Sequence, residues 1–475
     1  NRAPSFFVPI PNRYYERVRG WTPSLVADAI APDHLFHPIT NKVRQVDHHG
    51  GYTAGAGHAL YTARTYPRSW WNRVAFVCGP TGHLVGTYVL HRQGASYRDA
   101  NEFNLVASDD EWAAPIMAEV GPDGQMWILD WYNYIIQHNP TPQGFETGKG
   151  NAYESDLRDK KHGRVYRLVY DGAEGEAGAD LAPQLDANHP STLVAALGHP
   201  NRLWRRHAQR LLVERGQSDV VPALIELLTH QDVDSTGNNA AVTHALWVLH
   251  ALPADATNSS SPNALSQLPE AMWKELLQHP AAGVRRNALL TLPPLSTTID
   301  LMAQTQSLRD ADAQVQLAAL MALADNSTSS QVAGGMLVDL LSQPPLLRDR
   351  YVKDGIICAA ATHAHEFLST ALIDPRLNQS LSDEQGEVLR VVAEHAARSG
   401  FEVAQWERLI DSMSRSSVET VAPLAEGLAA GWQRGAATAM PAVGEEVLNQ
   451  LCLAAQPEQL AALLRLGTAW GSDAV

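Results

Sequence analysis

Two stretches eighty residues apart, "GHPNRLWRRHAQRLLVERG" (198–216) and "QHPAAGVRRNALLTL" (278–292), align along their length. Shorter kin surround them: "NNAAVTHALWVLHAL" (238–252) lies between the two, and "DADAQVQLAALMAL" (310–323) follows the second at a spacing of 31 residues. A unit of about 40 residues, a turn followed by an Ala/Leu-rich helix, restricts this part of the chain to stacked helical pairs, because one such pair cannot bury its apolar face alone. In the first copy Leu203, Ala208, Leu211 and Leu212 share one helical face, and Arg205, Arg206, Gln209 and Arg210 are predicted to point away from it. "LSQPPLLRDRYVKDGIICAAATHAHEFL" and "SDEQGEVLRVVAEHAARSG" continue as amphipathic helices, which assigns the helical region to residues 190–475.

The first 170 residues follow a shorter period. "RVAFVCGPTGHLVGTYVLHRQG" (73–94) alternates apolar positions around a Gly-Pro-Thr-Gly turn, a hairpin pattern. "APIMAEVGPDGQMWILDWYNYIIQHN" (114–139) reads as strand, G-P-D-G turn, strand, polar-aromatic loop, strand, and "GRVYRLVY" (163–170) adds one more. Propeller blades are modules of this kind, and a stretch of this length supplies about three, fewer than a closed ring needs. The expected fold is therefore multidomain. An all-β partial propeller, made of C-terminal blades, covers 1–170; the small, acidic stretch opening "DGAEGEAGADLAPQ" makes 171–189 a linker; an all-α solenoid follows.

Charge divides at the same place. Residues 1–170 carry 17 Lys/Arg against 16 Asp/Glu and the remainder 19 against 35, so the net −15 resides on the helical side. That balance argues against a nucleic-acid partner, which needs a basic face. No apolar run has the length of a transmembrane segment. Cys78, Cys358 and Cys452 fit no CxxC or CxxCH spacing, which excludes a disulfide framework, a metal knuckle and a covalent haem site. The opening "NRAPSFFVPI", without initiator methionine or signal-peptide core, reads as the start of an internal piece of a longer protein.

Chemistry-bearing residues gather in three predicted loops. "VDHHGGYTAG" enters the strand "GHALYTAR" (57–64), "SDDEWAA" (108–114) enters the next module, and "DWYNY" (130–134) joins two strands of that module. In a blade, entry loops and loops between the second and third strands share one rim, which would bring His48, His49, Asp109, Asp110, Glu111, Trp131 and Asn133 to one mouth. Four readings of these residues stay open. A histidine or carboxylate could act as general base; the groups could hold a divalent metal, though adjacent His48 and His49 cannot easily share one ion; the carboxylates could hold calcium; or the histidines bond backbone in a Gly-rich turn and the carboxylates cap strand ends. "YTAGAGHAL" is no dinucleotide fingerprint, since a strand and not a helix follows it. In "TGKGNAYESDLRDKKHGR" (147–164), Lys149 and its neighbours lack the phosphate-loop spacing.

The repeat copies "VRRNALLTL" and "LWRRHAQRLL" resemble HEAT repeats. "AGHALYTARTYPRSWWNRVAFVCGPTGHLVGTYVL" and "PIMAEVGPDGQMWILDWYNYIIQHNPTPQGFETGKGNAYESDLRDKKHGRVYRLVY" resemble the PVC-type membrane-bound dehydrogenase and haem-binding family. In that family a glucose/sorbosone-dehydrogenase-like propeller precedes HEAT repeats and then a CxxCH cytochrome module. The first blades and any CxxCH are missing from this chain. The resemblance implies an extracytoplasmic oxidoreductase, periplasmic or membrane-associated, that oxidises a sugar or polyol at the propeller mouth and passes electrons to a c-type haem module outside this chain. It further implies a PQQ-like quinone held with calcium. His48 or His49 is nominated as base, Asp109, Asp110 or Glu111 as cation ligands, and Arg44, Arg64 and Lys149 as partners for quinone carboxylates. The alternative is a non-catalytic propeller binding glycan or protein, with the solenoid as docking scaffold for a protein partner; Trp131, Tyr132 and Tyr134 suit sugar stacking under either view. A metal-assisted hydrolase is a third reading, motivated by the His/Asp/Glu crowd alone.

Overall fold

The structure, a computed structural model, describes residues 6–23, 29–31, 35–43, 50–52, 55–136, 161–172, 181–254, 263–328, 330–432 and 442–471. The chain divides into two compact units, Asn1–Val8 with Ala27–Gln267, and Pro9–Val26 with Leu268–Val475. Composition changes at the linker, whereas compactness sets the first four long-repeat helices with the sheets and gives the N-terminal helix α1 (Asn12–Glu16) to the second unit.

The first unit holds two antiparallel sheets. Strands β1 (Ala56–Leu60), β2 (Val74–Gly79), β3 (Leu84–Gln93) and β4 (Ser96–Ala107) form a meander in that order; β5 (Pro115–Val120), β6 (Met126–Asp130) and β7 (Arg164–Leu168) form a second. The hairpin over 73–94 and the strands either side of G-P-D-G lie where their alternation placed them. The third strand expected in "YIIQ" is absent from Ile135 and Ile136, and the partner of β6 is the later β7. Strand β4 carries no alternation in its sequence that marks it.

Strand β2 is buried on both faces because each face has its own core. Val74, Phe76 and Cys78 pack with Tyr61, Val85, Ala118 and Ile128; Val77 packs with Phe36, Tyr52, Leu84 and Tyr88. Burial in this apolar surround pushes the Cys78 thiol up to about 12, so it stays protonated and acts as a small apolar side chain. The two sheets meet backbone to backbone. Gly57, at φ +32°, comes so near β5 that a Cβ on it would lie 2.3 Å from the Met117 Cα. Only glycine permits both that conformation and that approach.

Helices α2 (Pro190–Ala196), α3 (Arg202–Arg215), α4 (Val221–Leu228) and α5 (Ala240–Ala251) complete this unit. The side chains of Asn201 and Asn239 cap α3 and α5 by accepting from Leu203 N and Val242 N, which fixes where each repeat helix starts. The G-P-D-G turn rests on the head of α3: Asn201 Nδ2 donates to Gly121 O at 2.9 Å and Trp204 Nε1 to Pro122 O at 2.9 Å.

The two aligned copies share a device that helical phase alone misassigns. Arg205 Nη1 donates to the carbonyls of His199 and Pro200 at 2.6 and 2.8 Å, and eighty residues on Arg285 Nη1 donates to those of His279 and Pro280 at 2.8 and 3.1 Å. In both copies the histidine Nδ1 accepts from the backbone N–H two residues later. Arg205 is accordingly buried, not outward as expected, because turn carbonyls removed from water require donors.

The second unit contains α1 and helices α6 (Glu270–Leu277), α7 (Ala282–Thr291), α8 (Ser296–Gln304), α9 (Ala313–Ala324), α10 (Gln331–Leu341), α11 (Pro344–Leu347), α12 (Arg350–Thr362), α13 (Ala364–Ile373), α14 (Pro375–Gln379), α15 (Asp383–Ser399), α16 (Val403–Ser414), α17 (Val418–Gly431), α18 (Ala442–Ala454) and α19 (Pro457–Trp470). They stack in two layers: α7, α9, α12, α15, α17 and α19 succeed one another in one, and α8, α10, α13, α16 and α18 in the other. This is the helical-repeat stacking that the sequence period demands. Into it the N-terminal segment is tied: Tyr14 Oη donates to Asp325 at 2.7 Å, Tyr15 Oη to Asp354 at 3.0 Å, and Arg17 pairs with Asp325 at 2.6 Å. Among the described residues no single helix is long and apolar enough to cross a membrane.

Candidate functional site

Antiparallel connection brings three turns of the first unit to one end of its sheets: the β2–β3 turn, the acidic turn between β4 and β5, and the start of the β6–β7 loop. The β2–β3 turn ends at His83, which takes a left-handed conformation (φ +58°) and is buried. Its Nδ1 lies 2.7 Å from Ala113 O and its Nε2 3.3 Å from Lys42 O, so the imidazole links this turn to the acidic turn. Gly82 abuts the ring of Phe36, and Phe36 N donates to Gly50 O, which leads to the described end of the histidine-rich stretch.

Of the expected loops, "SDDEWAA" and "DWYNY" do converge. Asp130 Oδ1 accepts from Ala114 N at 2.7 Å and Tyr132 N at 2.8 Å, holding both loops with one buried carboxylate. Tyr132 is thereby kept at φ +52°, a backbone conformation that non-glycine residues adopt at a cost and that clusters at functional sites. Trp112 from the acidic turn packs on Tyr132 and Tyr134, with ring centroids 5.8 and 5.7 Å apart. Arg164 at the start of β7 lies over the Tyr132 ring as well, its guanidinium carbon 3.5 Å from the centroid, and reaches Asp110 Oδ2 at 3.3 Å. Hydrogen bonding to Tyr166, with further contributions from Tyr132 and Asp110, raises the Arg164 pKa above its ordinary value. The result is a half-buried aromatic cluster edged by a carboxylate and a guanidinium.

The nominated residues fare unevenly. His48, His49, Arg44 and Lys149 lie outside the described residues. Trp131 is at the aromatic end and exposed, while Asn133 is buried and its Oδ1 accepts from Ile135 N, shaping the loop. Arg64 is elsewhere: buried, stacked on Trp71 and paired with Asp234 at 3.2 Å, it secures the α4–α5 loop to the sheets and does not face this end. Asp109 is exposed, Asp110 is held by Trp112 N and Arg164, and Glu111 pairs with Lys42 at 3.3 Å. Calcium needs six or more converging oxygens, and no group of three His, Cys, Asp or Glu among the described residues is placed to hold a metal ion. The three carboxylates thus do not fit a calcium set, and of the three cations nominated for a quinone carboxylate Arg64 alone is among the described residues.

His83, Lys42, Trp112 and Arg164 join this end without a sequence motif that marks them. His83 was legible in principle, since antiparallel topology puts the β2–β3 turn on the same end as the entry loops; Trp112 stood inside the quoted acidic turn.

Fold and site define a two-part protein, antiparallel sheets followed by helical repeats, with an aromatic, charged cluster at one end of the sheets. Residues 1–172 match a domain of unknown function, DUF7133. No curated protein matches the chain. Among solved structures it is similar to a designed armadillo repeat protein at 16% identity, over 59% of this chain and 99% of that one, with a TM-score of 0.22, a value that assigns no fold.

Proposed function

We propose that the chain recognises a carbohydrate-like ligand at the aromatic end of its sheets. The observation carrying this reading is the packing of Trp112 on Tyr132 and Tyr134 across two loops, with Asp110 and Arg164 at the margin. Aromatic faces give a sugar's C–H surface something to stack on, and an adjacent carboxylate and guanidinium supply the acceptor and donors its hydroxyls require. The sheets are read as neighbouring propeller blades. Supporting this, β1 is the strand of the first sheet that lies most closely against β5, and the second sheet leaves Met117, Leu129 and Val165 exposed in one cross-strand row, as a blade does on the face it packs against its neighbour.

Oxidation of the ligand, with electrons passing to a c-type haem module outside the cytoplasm, rests on the dehydrogenase resemblance. The geometry favours recognition, and the helical repeats serve as its scaffold. The test is calorimetric titration of the full chain with neutral sugars and polyols, beside Trp112→Ala. Saturable binding by the wild type, weakened about tenfold or more in the variant, is expected. Failure of every sugar to bind, or equal affinity in the variant, overturns the reading. Dye reduction in the same samples with added quinone and calcium would favour the dehydrogenase.

A further inference from the structure

At the far end of β5 from the aromatic cluster, the first unit carries a groove of about 1050 Å³ whose walls are β1, the end of β5, α3 and α5. Its lining is basic in a chain of net charge −15. Arg202, Arg206 and Arg210 stand along α3 with His207, and Glu119 is the one carboxylate among the described lining residues. Arg210 has a loose partner in Glu214 at 3.8 Å, and Arg206 and Arg210 are both exposed. The α5 wall presents Thr243, His244 and Trp247. Burial, then Arg205 and Arg202, lowers the His244 pKa to about 3, so at neutral pH the ring is uncharged. Its Nδ1 meets Gln209 Oε1 at 2.6 Å while its Nε2 accepts from Arg205 at 3.3 Å.

From this arrangement we infer that the groove binds an extended acidic peptide segment whose carboxylates fall on alternate residues. Arginines four apart on a helix are about 6 Å apart along its axis, and three of them span about 12 Å. In an extended chain, alternate side chains on one face repeat every ~6.7 Å, so three carboxylates at i, i+2 and i+4 meet three guanidiniums nearly in register. Guanidinium forks bind carboxylates bidentately, and the row of donors facing one carboxylate demands a ligand rich in acceptors. Screening over about 8 Å at physiological salt leaves the local row of arginines, not the net charge of the chain, to set the interaction. At about 1050 Å³ the groove stands at the upper end of ordinary small-molecule pockets and leaves room for a chain-like ligand.

The experiment uses the full chain and labelled eight-residue peptides, read by fluorescence anisotropy. One alternates Glu and Ser, one has the same composition with its Glu residues contiguous, and one alternating peptide has a single Glu changed to Gln. A polysulfated glycan and a single-stranded oligonucleotide are run beside them. The alternating peptide is expected to bind best, to weaken about tenfold on loss of one Glu, and to weaken as much in Arg206→Gln and Arg210→Gln proteins that melt like the wild type. Tighter binding of the glycan or oligonucleotide than of every peptide overturns the inference, as does equal binding of the alternating and contiguous peptides. The Glu-to-Gln peptide needs no protein variant and decides the matter even if the variants misfold. Sugar binding at the aromatic end, tested separately, can fail without affecting this result.

Discussion

Tyr15→Phe removes a single oxygen from a side chain that the sequence sets far from the solenoid and the structure places inside it. Tyr15 and Asp354 are 7% and 5% exposed, and the phenol donates to the carboxylate at 3.0 Å. Burial raises the Asp354 pKa above the ordinary carboxylate range, while Tyr15, then Arg350 and Lys353, pull it back. Burial and the neighbouring Asp354 together raise the phenol's own pKa, so it remains a donor throughout the usable pH range. Deleting a donor to a buried charged acceptor costs about 1–3 kcal/mol, and for a unit of this size each kcal/mol lowers the melting temperature by roughly 2–4 °C. The pH dependence has a definite sign. A carboxyl whose folded pKa is raised contributes stability below its unfolded pKa, and that contribution is lost as pH rises through the folded pKa. Tyr15 opposes the rise, so the variant's folded pKa moves further up and its deficit is largest at neutral pH, shrinking as pH falls into the range where Asp354 is protonated. Thermal unfolding of both proteins at pH 7 and near pH 4, read by circular dichroism, measures the two gaps. A variant that melts with the wild type at pH 7, or whose deficit widens in acid, refutes the argument that this segment is docked through a buried charged hydrogen bond.

Two further perturbations address the scaffold. Gly57→Ala sets a methyl carbon 2.3 Å from the Met117 Cα at a positive φ, and it should destabilise the sheet-bearing unit by about 2 kcal/mol or more; denaturant unfolding that matches the wild type contradicts the backbone contact of β1 with β5. Arg285→Ala strands the Asp310 carboxylate, whose side chain is 10% exposed, and frees two turn carbonyls, so a loss of about 3–5 kcal/mol is expected; Asp310→Ala tested alone and in combination measures how much of that belongs to the pair.

Legibility followed periodicity. The hairpin around Pro80–Gly82, the strands flanking G-P-D-G and the repeat helices were readable because each buries side chains at a fixed local spacing, period two in a half-buried strand and 3.6 in a helix. What escaped depends on partners far away in sequence. Nothing local to "NRYYERVRG" announces that Tyr14, Tyr15 and Arg17 find carboxylates more than three hundred residues on, nor that Arg205 turns back to hold carbonyls while Arg206, one position along, faces a groove. The same limit governs the site. Convergence of the acidic turn and "DWYNY" could be foreseen from strand topology, because antiparallel connections send alternate loops to the same end. Which charged residues there pair with one another could not, since that depends on competition: Lys42 takes Glu111, while Arg164 and Asp110 pair with both side chains still partly exposed. Charge alone therefore overestimates chemistry at this end of the sheets. At the other end the excess of arginine over carboxylate along α3 survives the same accounting, which is why the stronger electrostatic prediction attaches to a helix that composition had marked as mere solvent-facing surface.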